Sequence, residues 1–232
     1  MDPAQFAERL ARVRDTIAAA CGRSGRELGD VTVVAITKGH PVEVLLTALE
    51  TGLADVGENR VQEAREKFAA AGEALAGARR HLVGHLQRNK ARDALELFHW
   101  IHSVDSLRLA RELSARSVDL PEPPDVLVQV NASGEEQKQG FTAAEATERL
   151  HEIAALPGFR VRGIMTMAPW TDDEAVLRST FRTARRIFDD EGPALGLDTL
   201  SMGMTNDYPL AVEEGSTMLR LGTALFGERV AP

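Results

Sequence analysis

The chain has 232 residues, of which 44% are hydrophobic and 27% are charged, a composition that suits a folded globular protein and excludes extensive disorder. Its formal net charge of −8 disfavours broad contact with nucleic acid or with an anionic membrane surface. The sequence contains no apolar run of the roughly 18–20 residues that a membrane helix needs, and its charged N-terminus is unlike a signal peptide. Cys21 is the single cysteine, which excludes an internal disulfide framework, so we expect a reducing, cytoplasmic compartment.

Predicted helices and strands alternate along the chain. Residues 2–20 carry apolar side chains at helical spacing, residues 31–37 form a β-branched run typical of a buried parallel strand, and residues 41–49 predict a helix with proline in its first turn. Seven further strand-like runs follow, near residues 55–58, 80–84, 100–105, 125–131, 161–167, 199–203 and 218–223. Helical patterns fill the gaps, near residues 59–76, 86–98, 106–117, 142–155, 172–191 and 206–215.

This alternation indicates βαβ units and a parallel sheet. Eight such units in just over 200 residues predict an α/β fold, a single-domain (β/α)8 TIM barrel over residues 1–232 with an extra N-terminal helix. An open, doubly wound sheet is the alternative architecture.

Lys38 is the most informative candidate residue, because barrels collect their functional side chains at the carboxyl ends of the strands. Side chains alternate between the two faces of a strand, so Lys38 shares a face with Val34 and Ile36. If that face is the barrel interior, the lysine reaches the mouth, where partial desolvation lowers the pKa of an amine and leaves it able to form a Schiff base. The alternative is a strand-end lysine that simply reaches water.

Arg220 is the second candidate, since it lies between Leu219 and Leu221 in the last predicted strand. If the leucines face the outer helices, the guanidinium faces the barrel interior and needs an acceptor there. That acceptor is either a ligand or a carboxylate of the barrel such as Glu58.

The last two predicted strands end in small and polar residues, namely Ser201, Gly203, Gly222 and Thr223. Barrels commonly bind phosphate at this position, where backbone N–H groups and a helix N-terminus meet the anion. Ordinary turn glycines are the alternative explanation. A lysine and a phosphate site on one rim together indicate a phosphorylated aldehyde as ligand.

The histidines do not predict a metal site. His81 and His85 are four residues apart but straddle the end of a strand, and His99 and His102 fall on opposite strand faces. The sequence also lacks a Walker loop, a G-x-G-x-x-G motif, a G-x-S-x-G elbow and a CxxC motif.

Several segments resemble the pyridoxal phosphate homeostasis protein family (YggS/PROSC). The matching stretches are residues 35–38 (AITK), 56–63 (VGENRVQE), 81–90 (HLVGHLQRNK), 101–105 (IHSVD), 130–135 (VNASGE), 200–204 (LSMGM) and 215–227 (GSTMLRLGTALFG). The sequence departs from the family pattern at Gly39-His40, where Thr-Lys is usual, and at Asn206, where Asp is common.

The resemblance implies a barrel like the N-terminal domain of alanine racemase that binds pyridoxal 5′-phosphate (PLP). It assigns Lys38 as the Schiff-base lysine, holding PLP as an internal aldimine, and Arg220 as the arginine that faces the pyridine nitrogen. Asn59 would lie near the cofactor ring, and Ser201, Gly222 and Thr223 would contact the phosphate. It further implies PLP homeostasis, with apoenzymes that accept PLP as partners, and we expect a monomer.

Two other functions share a Schiff-base lysine. An amino-acid racemase needs a second acid/base on the opposite face of the cofactor. In alanine racemase that group is a tyrosine, and the only tyrosine of this chain is Tyr208. A Schiff-base aldolase usually carries its lysine on a central strand, but the run near 161–167 has none. We therefore expect a PLP-binding protein without turnover and keep the racemase as the alternative.

Overall fold

Eight parallel strands close into a barrel in the computed structural model, which describes residues 2–135 and 137–228. The strands are β1 (Thr32–Ile36), β2 (Asp55–Glu58), β3 (Arg79–Leu82), β4 (Trp100–Val104), β5 (Asp125–Asn131), β6 (Phe141–Thr142), β7 (Arg160–Met165), β8 (Thr199–Ser201) and β9 (Met218–Leu221). The barrel order is β1, β2, β3, β4, β5, β7, β8, β9 and back to β1. The two-residue β6 is an addition that pairs with the end of β5.

Helices surround this barrel, one after nearly every strand. They are α1 (Pro3–Arg23), α2 (Val42–Glu50), α3 (Val61–Ala71), α4 (Ala91–Leu97), α5 (Leu107–Ser117), α6 (Ala143–Ala154), α7 (Glu174–Leu195), α8 (Tyr208–Glu213) and α9 (Thr223–Phe226). The extra helix α1 begins with Asp2, whose side chain accepts a hydrogen bond from the Ala4 N–H, followed by Pro3 at the first helical position. It packs on α8 and α9, where Phe6 stacks on Phe226.

Alternating side chains divide the core into two layers. Val34 and Ile36 of β1 join Trp100, Leu127, Met165 and Met218 in an inner cluster, whereas Ala35 belongs to the outer layer between strands and helices. The face of β1 that leads to Lys38 is therefore the interior face. The interior also holds buried polar side chains, among them His81, His102, Gln129, Ser201 and Arg220.

The predicted (β/α)8 barrel with an extra N-terminal helix is confirmed. The last strand is shorter than predicted, because β9 ends at Leu221 and the backbone turns at Gly222 (φ −111°, ψ −80°) into α9. The expected domain bounds of 1–232 stay a prediction, since residues 1, 136 and 229–232 lie outside the described residues. No helix in the described part of the chain is long and apolar enough to cross a membrane.

Candidate functional site

Four neighbouring strands bring the predicted site residues to one sector of the barrel. In barrel order these strands are β2, β1, β9 and β8. Asn59 directly follows β2, Lys38 lies in the turn after β1, Arg220 lies within β9 with Gly222 and Thr223 after it, and Ser201 ends β8. The candidates are thus assembled at the carboxyl ends of adjacent strands, which is the functional end of this fold.

Arg220 is buried in the barrel interior, with 5% of its surface exposed. Its Nη1 donates to Ser201 Oγ at 2.7 Å and its Nη2 donates to the Thr166 carbonyl at 2.9 Å. No carboxylate among residues 2–135 and 137–228 hydrogen-bonds to it, although the buried Asp207 carboxylate attracts it at longer range, and burial lowers its pKa to about 10. A buried guanidinium whose hydrogen-bond partners are all neutral is suited to a ligand that supplies an acceptor.

The predicted alternative, in which Glu58 pairs with Arg220, is wrong. Glu58 lies one position from Gly57, whose missing Cβ faces Val34 and Ile36 inside the barrel, so the Glu58 side chain points outward. There Glu58 Oε1 accepts from Lys67 Nζ at 2.5 Å and from Thr37 Oγ1 at 2.5 Å.

A buried charge cluster holds the turn that carries Lys38, which is itself exposed. Lys67 Nζ donates to the Thr37 carbonyl at 2.7 Å, just before Lys38, and contacts Glu63 Oε1 at 3.1 Å. The N–H of Gly39, just after Lys38, donates to the same Glu63 oxygen at 2.5 Å. Both sides of the lysine are therefore fixed to helix α3.

Sequence reasoning missed Lys67, which reads as an ordinary helix lysine but is 7% exposed. The signal that could have found it is scarcity, because the chain has only four lysines, at positions 38, 67, 90 and 138, among 27 basic residues.

Asn59 carries an orphaned acceptor. Its Oδ1 is buried and has no hydrogen-bond partner within the described residues, a state that costs free energy unless a ligand supplies a donor. Gly84 approaches the same residue from the end of β3, and a Cβ at Gly84 would lie 2.3 Å from the Asn59 carbonyl oxygen. The backbone of Asn59 is thus closely confined.

The two glycines of the predicted phosphate site have different surroundings. A Cβ at Gly203 would lie 2.7 Å from the Cβ of Ala211, and its φ of +96° also favours glycine, so packing and backbone geometry explain it. Gly222 leaves the interior strand position beyond Arg220 without a side chain, with a virtual Cβ 3.2 Å from the Ile36 carbonyl oxygen. A side chain at this position would therefore crowd the end of β1.

A pair of buried histidines adjoins this site. His102 Nδ1 lies 3.2 Å from Ser201 Oγ, and His102 Nε2 lies 2.9 Å from His81 Nδ1. His99, in contrast, faces outward and accepts a hydrogen bond from the Arg80 N–H. The described residues hold no group of three or more side chains placed to bind a metal ion.

Comparisons with known proteins give consistent results. The family model described as alanine racemase, N-terminal domain, matches residues 9–230. The pyridoxal phosphate homeostasis protein of Escherichia coli (strain K12) is 39% identical over 232 residues, covering 97% of this chain and 97% of the relative. The structure of PipY from Synechococcus elongatus PCC7942 with PLP bound aligns with a TM-score of 0.82 and 36% identity, covering 96% of this chain and 100% of PipY. An alanine racemase of Clostridium difficile 630 shares the fold alone, with a TM-score of 0.76 and 16% identity, and the aligned part is 58% of that enzyme.

Proposed function

Because the chain belongs to the family of pyridoxal phosphate homeostasis proteins, which carry the alanine racemase N-terminal domain, we propose that it binds PLP at the carboxyl end of its barrel and serves PLP homeostasis. The observation that carries the proposal is the buried guanidinium of Arg220, whose hydrogen-bond partners within the described residues are all neutral. A pyridine nitrogen is an acceptor without charge, so it fits a donor whose other partners are neutral.

Lys38 is the residue we assign to the aldehyde of PLP. The cofactor supplies an electrophilic carbonyl carbon, to which the lysine nitrogen bonds with release of one water. The exposed position of Lys38 in a turn held on both sides by Lys67 and Glu63 supports this assignment. A fixed backbone that carries an exposed lysine side chain favours repeated attachment and release of the cofactor.

Ser201, Gly222 and Thr223 are assigned to the phosphate, and Asn59 to the edge of the ring. Ser201 ends β8, Gly222 directly follows the adjacent β9, and Thr223 begins the short helix α9, so their hydroxyl and backbone N–H donors lie on neighbouring strand ends. The orphaned Oδ1 of Asn59 supports a ligand donor on the β2 side of the site.

We propose binding without turnover. A cationic arginine beside the pyridine nitrogen disfavours protonation of the ring and weakens its capacity to accept electrons. The racemase alternative is tested by incubating the PLP-loaded protein with L-alanine in D₂O. We expect no sustained exchange of the α-hydrogen, and exchange that is lost in Lys38→Ala would instead identify an enzyme.

The cellular setting belongs to the same proposal. We propose a cytoplasmic monomer whose partners are PLP and the apoenzymes that accept it. The single cysteine, Cys21, forms no disulfide, which supports a reducing compartment. The exposed position of Lys38 supports transfer of the ligand to another protein.

The decisive experiment is absorbance and mass mapping after incubation with PLP. Wild type should become yellow, and borohydride should trap the cofactor on the peptide that contains Lys38. Lys38→Ala should stay colourless, whereas Lys90→Ala, altered just before α4, should behave as wild type. A colourless wild type, or an adduct on a different lysine, would refute the proposal.

A further inference from the structure

A row of hydrogen-bonded side chains crosses the barrel interior and ends at the proposed phosphate site. We call Asp55, His81, His102 and Ser201 the interior row. Asp55 Oδ1 lies 2.9 Å from His81 Nε2, His81 Nδ1 lies 2.9 Å from His102 Nε2, and His102 Nδ1 lies 3.2 Å from Ser201 Oγ. All four side chains are buried, and both ends of the row are charged, with Arg79 on Asp55 and Arg220 on Ser201.

The charged ends decide the direction of every hydrogen bond in the row. Burial alone would raise the pKa of Asp55, but hydrogen bonds from His81 and Arg79 outweigh it and hold that pKa below its ordinary value, so Asp55 is an ionised acceptor. His81 Nε2 must then donate. A neutral imidazole has one donor and one acceptor nitrogen, so His81 Nδ1 accepts from His102 Nε2.

The same rule decides the hydrogen bond between His102 and Ser201, at the rim end of the row. Since His102 Nε2 donates, His102 Nδ1 accepts, and the proton that it accepts is the hydroxyl proton of Ser201. Burial lowers the pKa of both histidines, most strongly for His102, which supports neutral rings in the unliganded protein. Ser201 therefore offers only a lone pair to the rim in this state, and it cannot donate to a phosphate.

We propose that binding of a phosphate anion at the rim is coupled to the uptake of one proton by the interior row. This inference rests on the proposed function, in which Ser201 is a phosphate donor. When the Ser201 hydroxyl turns to the anion, one proton enters from the rim, and the Ser201–His102 and His102–His81 hydrogen bonds each pass one proton inward, while the proton between His81 and Asp55 stays on His81 Nε2. In the product state His102 Nδ1 donates to Ser201 Oγ, and His81 carries N–H groups on both nitrogens.

The charges around His81 favour it as the final position of this proton. Asp55 of β2 contacts His81 directly, and Asp125 of β5 adds a second negative charge nearby, which Arg160 and Arg162 of β7 partly neutralise. The opposing charges are Arg79 of β3, which is itself paired with Asp55, and Arg162, which lies over the Trp100 ring. On the β4 side His81 stacks on the neutral ring of Trp100 and meets His102.

His102 is a poor position for the proton. It faces His81 on one side, and Ser201 with the cationic Arg220 behind it on the other. The histidine next to the carboxylate therefore takes the charge, and His102 remains neutral while its proton changes nitrogen.

The test uses pyridoxine 5′-phosphate, which has the phosphate and ring of PLP but no aldehyde, so that imine formation contributes no protons. Between about pH 7.5 and 8.5, calorimetry in two buffers of different ionisation enthalpy should show that wild type takes up about one proton more than His81→Gln, a difference that cancels any proton released by the ring nitrogen of the ligand, and the ratio of the two dissociation constants should change about tenfold per pH unit. His81→Gln keeps a donor for Asp55 and an acceptor for His102 but has no site for a proton. It should bind with about one proton fewer taken up than wild type.

His151→Gln is the matched control, since His151 lies on α6 and contacts Glu191 on the outside of the barrel. It should retain the uptake of wild type. Nitrogen-15 shifts of the wild-type imidazoles give a second readout that needs no variant, and His81 should change from neutral to cationic on binding.

Equal proton uptake in wild type and His81→Gln, or a His81 that stays neutral in the complex, would overturn the inference. If PLP still attaches to Lys38 in that case, the proposed function stands and only the coupling fails. If neither PLP nor pyridoxine 5′-phosphate binds to wild type, both are refuted.

Discussion

The ammonium group of Lys67 lies 2.5 Å from Glu58 Oε1, and both side chains are buried beneath the turn that carries Lys38. The same ammonium group donates to the Thr37 carbonyl, so a single buried cation joins β2, the turn and helix α3. The position of the proposed reactive lysine thus depends on a second lysine that no ligand needs to contact.

Replacing Lys67 should therefore be strongly destabilising. In Lys67→Met the Glu58 carboxylate remains buried without its cation, and the loss of one partner of a buried pair costs about 3–5 kcal/mol. We expect a decrease of that size in the free energy of unfolding, measured by urea denaturation.

Two variants make this prediction specific. Lys90→Met removes a partly exposed lysine and should change stability by less than about 1 kcal/mol. The double variant Lys67→Met/Glu58→Gln removes the orphaned charge and should recover part of the loss. Equal stability of Lys67→Met and Lys90→Met would contradict the role of the buried pair.

Arg220→Lys should weaken PLP binding while keeping the positive charge. A lysine can reach Ser201 or the Thr166 carbonyl, but it lacks the planar fork that bonds both and still faces a ligand. Loss of one hydrogen bond that involves a charged group costs about 1.5–3 kcal/mol, so the dissociation constant should rise roughly 10- to 150-fold. Absorbance titration with PLP measures the change.

Arg92→Lys on the exposed face of α4 is the control for this substitution. An unchanged PLP affinity in Arg220→Lys would show that the guanidinium does not contact the cofactor.

The carboxylate at the inner end of the interior row should make stability depend on acid pH. Burial by itself would raise the pKa of Asp55, but the hydrogen bonds from His81 and Arg79 lower it by more, so the pKa lies below its ordinary value. A carboxyl whose folded-state pKa is lowered stabilises the fold fully above its unfolded value of about 3.9, and this contribution disappears as the pH falls through the folded-state pKa.

Wild type should accordingly be more stable than Asp55→Asn by about 1–3 kcal/mol near neutral pH. The difference should shrink as the pH falls below about 4 and should disappear once the pH is below the lowered folded-state pKa of Asp55, where both side chains are uncharged. Denaturation curves at several pH values measure it, with the exposed Asp15→Asn of α1 as control. A difference that does not vary between neutral and acid pH would be inconsistent with an ionised Asp55.

Gly84→Ala tests the confinement of Asn59. The new methyl group would lie 2.3 Å from a backbone oxygen that cannot rotate away, so the chain must shift. We expect a loss of about 1–3 kcal/mol in the free energy of unfolding, as for other overpacked sites, together with weaker PLP binding. At Gly29 a methyl group meets nothing within 4 Å, so Gly29→Ala should change neither property.

Much of the architecture was predictable because it depends on local periodicity. The β-branched run at residues 31–37 and the apolar spacing of residues 2–20 identified β1 and α1, and the two-residue period of β1 identified its interior face. The leucines around Arg220 indicated its inward orientation for the same reason.

The partners of the polar side chains were not predictable in this way. The sequence offers Glu58 as a partner for Arg220, yet the two residues face opposite sides of the barrel wall. The burial of Lys67 depends on how α3 packs over β1 and β2, and no pattern within α3 predicts how the helix is placed on the strands.

The amino-acid sequence alone predicted the order of strands and helices, a closed parallel barrel and the strand ends at which Lys38, Ser201 and Gly222 lie. It could do so because alternation along each segment is a local property that decides which face is apolar. Only the tertiary structure decided that Asp55, His81, His102 and Ser201 form one hydrogen-bonded row, because their contacts depend on the stagger between strands and on barrel closure. Strand stagger and barrel closure arise from the packing of the whole molecule, and the sequence around residues 55 and 201 carries no local pattern that predicts either one.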